Sequence, residues 1–187
     1  MVRHGETEAN KNDIDAGPLD YKLDKRGIKQ VSHIARELSR CKVSAIYSSP
    51  VFRAVETAKI LARSHDLVVH KLEDLTEAKL KPEFVGKPGR HQILTSPSAY
   101  TETYTELQRR MLRAIGAVKK REESGAIIVS HGDPIAALLH HVVEREVTDR
   151  PSHYVLHPDL GSLSIINLKE PPTLLLFNYH RKLLSDY

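Results

Sequence analysis

Three short stretches carry side chains that could do chemistry together: Arg3-His4-Gly5-Glu6 at the start, Arg53 within SSPVFRAVETA, and His131 within VSHGDP. Taken singly, each has an ordinary reading. The first is a solvated terminus, the second a surface helix arginine, the third a satisfied loop histidine. Together they put two guanidinium groups and two imidazoles into one candidate crevice. Arginine's planar fork matches the oxygens of a dianion bidentately, so phosphate is the natural guest. Imidazole is neutral and nucleophilic near pH 7 and can serve as acceptor, donor or nucleophile.

The flanking sequence says what must position these groups. Helical spacing of apolar residues predicts helices over Lys25–Arg40, Val51–Arg63, Tyr104–Arg121 and Pro134–Glu146. Short β-rich runs predict strands at Val43–Tyr47, Leu67–His70, Ala126–Val129, Leu163–Leu168 and Leu174–Phe177. Ala126–Val129 and Leu174–Phe177 are apolar enough for strands buried on both faces. Strands alternating with helices predict a three-layer α/β/α sandwich around a mostly parallel central sheet. Arg53 then follows a strand that ends near Ser48, with Ser49 as helix cap and Pro50 at the first helical position. His131 follows a second strand, with Asp133 as cap and Pro134 opening the helix. Arg3 and His4 leave a third. Ligands of open α/β sheets bind outside the carboxyl ends of the strands, where helix N-termini add N–H donors.

Composition narrows the alternatives. The 187 residues suit one domain over 1–187, and 40% hydrophobic with 28% charged residues is a globular profile. A net charge of +4 suits anionic substrates; without a basic run interleaved with aromatics it does not argue for nucleic acid. Cys41 is the lone cysteine, which excludes an internal disulfide and fits a cytoplasmic setting. No window approaches the roughly 18 apolar residues of a membrane span. His140-His141 and the pair His153/His157 are the only hints of a metal site, and no paired Cys or HExxH arrangement joins them.

VRHGETEAN, SSPVFRAVETA and VSHGDP resemble the three signature blocks of the histidine phosphatase superfamily, which contains the phosphoglycerate mutases that use a phosphorylated cofactor. LDKRGIKQ resembles the block that opens the first long helix, and TETYTELQRRM carries Glu102 and Arg110 at the usual spacing. The resemblance spans roughly residues 1–140. It implies a phosphoglycerate mutase-like fold and a phosphatase acting through a phosphohistidine on His4. Arg3, Arg53 and His131 would bind the transferring phosphoryl group, Asn10 would help to hold it, and Gly5 would let the backbone turn beside it. Glu77 would be the general acid by its place ahead of Gly86, with Glu73, Asp74, Glu83 and Asp133 as rivals; Asp133, before Pro134, suits capping better. No metal or other cofactor is required.

Three further expectations follow. The superfamily's first strand is usually longer than the two residues before Arg3, so either the strand is very short or the true start lies upstream. Ala78-Lys79-Leu80 stands where the mutases resemble an Arg-His-Tyr block, which favours hydrolysis over mutase activity; a phosphate-binding module without catalysis is the distant alternative. The excursion Glu77–Ser98, rich in Pro and Gly, would wall the site, and Lys79, Lys81, Lys87, Arg90 and His91 could meet a second anionic group. The implied partner is a small phosphorylated substrate, with no nucleic acid and no membrane; a homodimer stays open.

Overall fold

The computed structural model describes residues 1–89, 97–122, 124–143 and 156–180. Its strands are β1 (Val2–Arg3), β2 (Val43–Ser48), β3 (Val69–Lys71), β4 (Gly125–Ser130), β5 (Leu163–Asn167) and β6 (Thr173–Tyr179). The α-helices are α1 (Glu8–Lys11), α2 (Lys25–Leu38), α3 (Phe52–Ala62), α4 (Tyr104–Arg121) and α5 (Gly132–Val142). The expected Pro134–Glu146 helix runs past residue 143, and its last three positions lie outside the described residues.

The strands form one sheet in the order β3-β2-β4-β1-β5-β6. β3, β2, β4 and β1 are mutually parallel, while β5 and β6 are antiparallel additions. The register aligns Arg3 with Ser130 and Ser48 with Val129, so three chain exits lie side by side at the carboxyl edge. Alternation along each strand splits the core. Ile46, Ile127 and Val129 face Val31, Ile34 and Leu61 of α2 and α3. Ala45, Tyr47 and Ile128 face Met111, Ile115 and Leu138 of α4 and α5. Those are the three expected layers.

Local chemistry sets the helix starts. The Asp24 carboxylate accepts from the Gly27 N–H at 2.7 Å and opens α2. Thr103 and Glu106 close a reciprocal capping box at the start of α4. Two expected caps are corrected. α3 begins at Phe52 with Val51 as cap residue, and the Ser49 hydroxyl instead bonds to His131. α5 begins at Gly132 with His131 as cap residue, which places Asp133 inside the first turn, buried. In both cases the helix starts two residues away from the proline, so neither polar side chain serves as its cap.

Leu174–Phe177 is also corrected. It belongs to β6, the outer strand of the sheet, and is covered on part of its surface only: Leu174 and Leu176 pack inward while Leu175 is 62% exposed. An apolar run does not by itself distinguish a central strand from an edge. Among the described residues no helix is long and apolar enough to cross a membrane.

Candidate active site

The loop leaving β1 is held by backbone contact. The His4 N–H donates to the Ser130 carbonyl at 3.1 Å, and the Gly161 N–H donates to the His4 carbonyl at 2.9 Å. The Gly5 N–H donates to Thr57 Oγ1 at 3.2 Å, and that hydroxyl donates to the Arg53 carbonyl at 2.9 Å. Two glycines allow the approach of α2. A Cβ on Gly5 would lie 2.7 Å from the Gly27 carbonyl oxygen, and one on Gly27 would run into the Glu6 carbonyl oxygen. The LDKRG block therefore supplies a backbone that can lie directly against the histidine loop.

Arg3, His4, Arg53 and His131 are all buried and converge. His4 Nδ1 lies 2.8 Å from the Gly5 carbonyl oxygen, which accepts only if Nδ1 carries the proton. Nε2 is then the lone-pair nitrogen, and Arg53 Nε–H donates to it at 3.2 Å. Arg53 is braced from behind by the carbonyls of Gly17 at 3.0 Å and Leu19 at 3.4 Å. The rings of His4 and His131 meet edge to face with centroids 5.2 Å apart. His131 Nε2 pairs with Ser49 Oγ at 2.8 Å. Burial, then the guanidinium charges led by Arg53, push the His131 imidazole well below its ordinary pKa, which favours the neutral ring.

Arg3 reaches across the crevice to the Pro158 carbonyl at 2.5 Å and to His157 Nδ1 at 3.4 Å. The other nitrogen of His157 lies 3.7 Å from Asp133 Oδ1. A Cβ on Gly132 would strike His157, so the glycine is what admits that ring beside Arg3.

Glu77 enters from the far side. Its Oε1 accepts from the Ala78 N–H at 2.9 Å, and its Oε2 lies 4.0 Å from His131 Nδ1. Burial, then the neighbouring Asp133 carboxylate, pushes the Glu77 carboxyl up to about 7, against the opposing pull of the Ala78 N–H, Arg53 and Arg3. The rivals lie elsewhere or serve otherwise. Glu73 and Glu83 are exposed, and Asp74 forms a surface pair with Arg113 at 2.9 Å. Asp133 is buried and contributes its charge.

Asn10 is not bonded to this group. Its carboxamide oxygen accepts from the Thr7 N–H at 3.2 Å and from the Thr7 hydroxyl at 2.9 Å, which closes the cap of α1. Lys79 and Lys87 are exposed and Lys81 is half-buried; Arg90, His91 and His153 lie outside the described residues. His140 bonds to the Tyr104 hydroxyl at 2.8 Å in the interior while the adjacent His141 is exposed. Among the described residues no three His, Cys, Asp or Glu side chains are grouped to hold a metal ion.

Sequence reasoning missed the parts played by Ser49, Thr57, Gly27 and His157. Each acts across a contact far along the chain, and only the adjacency of Ser49 and Thr57 to Arg53 hinted at a role.

Comparison with known proteins fits this geometry. The chain is 30% identical over 159 residues to a 2,3-bisphosphoglycerate-dependent phosphoglycerate mutase of Thermoplasma acidophilum, covering 77% of this chain and 75% of the relative. It is 42% identical over 77 residues to phosphoserine phosphatase 1 of Hydrogenobacter thermophilus, a match over 41% of this chain and 36% of that protein. The fold superposes on a mycobacterial glucosyl-3-phosphoglycerate phosphatase in complex with VO3 with a TM-score of 0.81, at 22% identity over 95% of this chain and 96% of that one. A phosphoserine phosphatase of Entamoeba histolytica in complex with 3-phosphoglyceric acid gives 0.79, at 23% identity over 95% and 94%. Residues 1–178 match the histidine phosphatase superfamily, branch 1, and the chain belongs to that family.

Proposed function

We propose that the protein hydrolyses phosphate monoesters through a phosphohistidine on His4, as one catalytic domain over residues 1–187. The observation that carries this reading is the placement of His4: Nδ1 engaged by the Gly5 carbonyl, Nε2 aimed into a pocket that holds Arg3, Arg53, His131 and a carboxyl with a pKa near 7.

In the first step His4 Nε2 attacks phosphorus, a P–N bond forms and the P–O bond to the leaving group breaks. Glu77, protonated below about pH 7, gives its proton to the leaving oxygen. Arg53 transfers its N–H from His4 Nε2 to the phosphoryl oxygens. Arg3 and His131 meet the other oxygens, where charge spreads in the transition state. The Gly5 carbonyl holds the imidazole upright and stabilises the positive charge that develops on the ring. In the second step the Glu77 carboxylate takes a proton from water, the water oxygen attacks phosphorus, the P–N bond breaks, and phosphate leaves. The free NH2 of the Asn10 carboxamide is the part of that side chain able to meet a phosphate oxygen.

A mutase is the second reading, favoured by the name of the Thermoplasma relative. It differs in the fate of the phosphoenzyme: the phosphoryl group returns to the substrate instead of passing to water. Ala78 is buried behind Glu77 and Lys79 is exposed, so this stretch brings no basic side chain inward beside the acid. A binding module without turnover has no use for a carboxyl poised near 7.

The test is a panel of phosphoserine, phosphoglycerates, sugar phosphates and nucleotides, with phosphate release and phosphoglycerate isomerisation followed side by side. Phosphate release that exceeds isomerisation at least tenfold supports hydrolysis; the reverse ratio replaces it with the mutase. The exposed free thiol of Cys41 fits a reducing cytoplasm. Light scattering on the purified protein distinguishes a monomer from a homodimer.

A further inference from the structure

Glu77 sits on a segment that belongs to no strand or α-helix, yet its carboxyl must be aimed to within a fraction of an ångström to act as an acid. The backbone that carries it is held by side chains. Arg110, on α4, is buried, and every N–H of its guanidinium is used. One terminal nitrogen donates to the carbonyls of Asp74 at 2.8 Å and Thr76 at 2.7 Å. The other donates to the Glu77 carbonyl at 3.0 Å and to Glu102 Oε1 at 2.8 Å. Nε donates to Glu102 Oε2 at 3.0 Å. Ser130 Oγ takes the remaining carbonyl of the stretch, that of Leu75, at 2.7 Å. Four successive carbonyls, residues 74 to 77, thus end on two side chains. Glu102 Oε1 also accepts from the Lys79 N–H at 2.8 Å, so the ion pair grips the segment on both sides of Glu77.

We propose that Arg110, with Glu102, is a positioning pair for the general acid: it fixes the backbone of residues 74–79 so that the Glu77 carboxyl points at the leaving-group oxygen. The inference rests on Glu77 being that acid. The Glu102 carboxylate pairs with the buried guanidinium, and the pair acts on the Glu77 segment through geometry. A fork with five bonds in one plane is the feature that matters, which a lysine cannot reproduce. Nothing in Arg110 touches the phosphoryl group, so the phosphate-binding groups Arg3, Arg53 and His131 stay in place when it is changed.

The test measures kcat for an alkyl phosphate, whose leaving oxygen needs a proton, against 2,4-dinitrophenyl phosphate, whose leaving group does not. Arg110→Met, Arg110→Lys and Glu102→Gln are each made in the parent and in a Glu77→Gln background. Arg110→Met is expected to lose about 10²-fold on the alkyl ester, as small misplacements of catalytic groups do, and about threefold or less on the aryl ester. Glu102→Gln, which keeps an acceptor for the fork, is expected to retain more activity than Arg110→Met. In the Glu77→Gln background none of the three variants should cost more than about twofold further on the alkyl ester, because residues acting through one group are not additive. Equal losses on both esters, or full additivity with Glu77→Gln, overturn the positioning role. Should Arg110→Met fail to fold, Arg110→Lys and Glu102→Gln carry the same two comparisons. If Glu77→Gln in the otherwise unchanged protein affects both esters alike, the acid assignment itself fails, and that result is separate from any behaviour of Arg110.

Discussion

The two edges of the sheet are built to different ends. At the carboxyl edge, β1, β2 and β4 deliver polar side chains that are buried and bonded: Ser48 to the Ser49 carbonyl, Ser130 to the Leu75 carbonyl, His131 to Ser49 and His4 to Gly5. At the amino edge lie the start of β4 and the end of the antiparallel β5, the two neighbours of β1 in the sheet order. There a cavity of about 550 Å³ opens between β4 and β5, lined by Val2, Leu38, Val43, Ile115, Val118 and Ile127 among others. Its size would suit a ligand, but its walls are chiefly apolar and the histidines and arginines lie at the opposite edge. This apolar cavity therefore lies away from the groups that could do chemistry. The chemistry sits where convergent polar groups are fixed by hydrogen bonds, and the apolar space sits at the opposite edge.

That contrast predicts a clean separation of effects. The largest is at the carboxyl edge. His4→Ala is expected to lower phosphatase turnover at least about 10³-fold, as the removal of a nucleophile does, with the fold retained by circular dichroism. Residual activity within tenfold of the parent would remove His4 from the chemistry.

Next comes Glu77→Gln, expected to cost about 10²-fold on alkyl phosphates and much less on activated aryl esters. Its pH dependence has a definite sign. The acid must be protonated, so kcat/KM on an alkyl phosphate should fall as pH rises through about 7, and this limb should vanish in the variant. Stability follows the same group. The folded state holds the Glu77 proton more tightly than the unfolded chain does, so this group's contribution is present below the ordinary carboxyl pKa of 4.5 and is lost as pH rises through about 7. A thermal midpoint that declines over that interval in the parent, and less in Glu77→Gln, is the expected outcome.

The smallest effect on catalysis belongs to the amino edge. Ile127→Ala enlarges the apolar cavity and should cost about 2–5 kcal/mol of stability by denaturant unfolding. The kcat of the folded fraction should stay within about twofold of the parent, because no catalytic group touches that wall.

The same two edges show what a sequence can disclose. Arg3 and His4, Arg53, and His131 were legible as three junctions where strands hand over to loops or helices, and the parallel register brings those junctions together. The long helices were legible from their period, as α4 over Tyr104–Arg121 illustrates, and most strands from β-rich runs, whereas the short α1 was not foreseen. What was not legible depends on contacts between distant residues. Ser49 reads as a cap because it precedes Pro50, whereas the ring of His131, 82 residues on, takes its hydroxyl. Gly27 reads as an ordinary helix glycine until α2 is laid against Glu6. Glu102 and Arg110 were visible as a spacing, but the carbonyls that Arg110 binds lie 33 to 36 residues away, on a segment with no periodicity. Leu174–Phe177 shows the same limit in the core: apolar composition marks a strand, and only the sheet order shows that it lies at the edge.

The central claim is that His4 carries the phosphoryl group. Its most direct test is rapid quench of the parent enzyme with phosphorus-labelled substrate, followed by peptide mapping. The account predicts a burst of protein-bound label that is acid-labile and base-stable, maps to the peptide containing His4, and is absent from His4→Ala. Label that is stable to acid, that maps to another residue, or that persists in His4→Ala would contradict it.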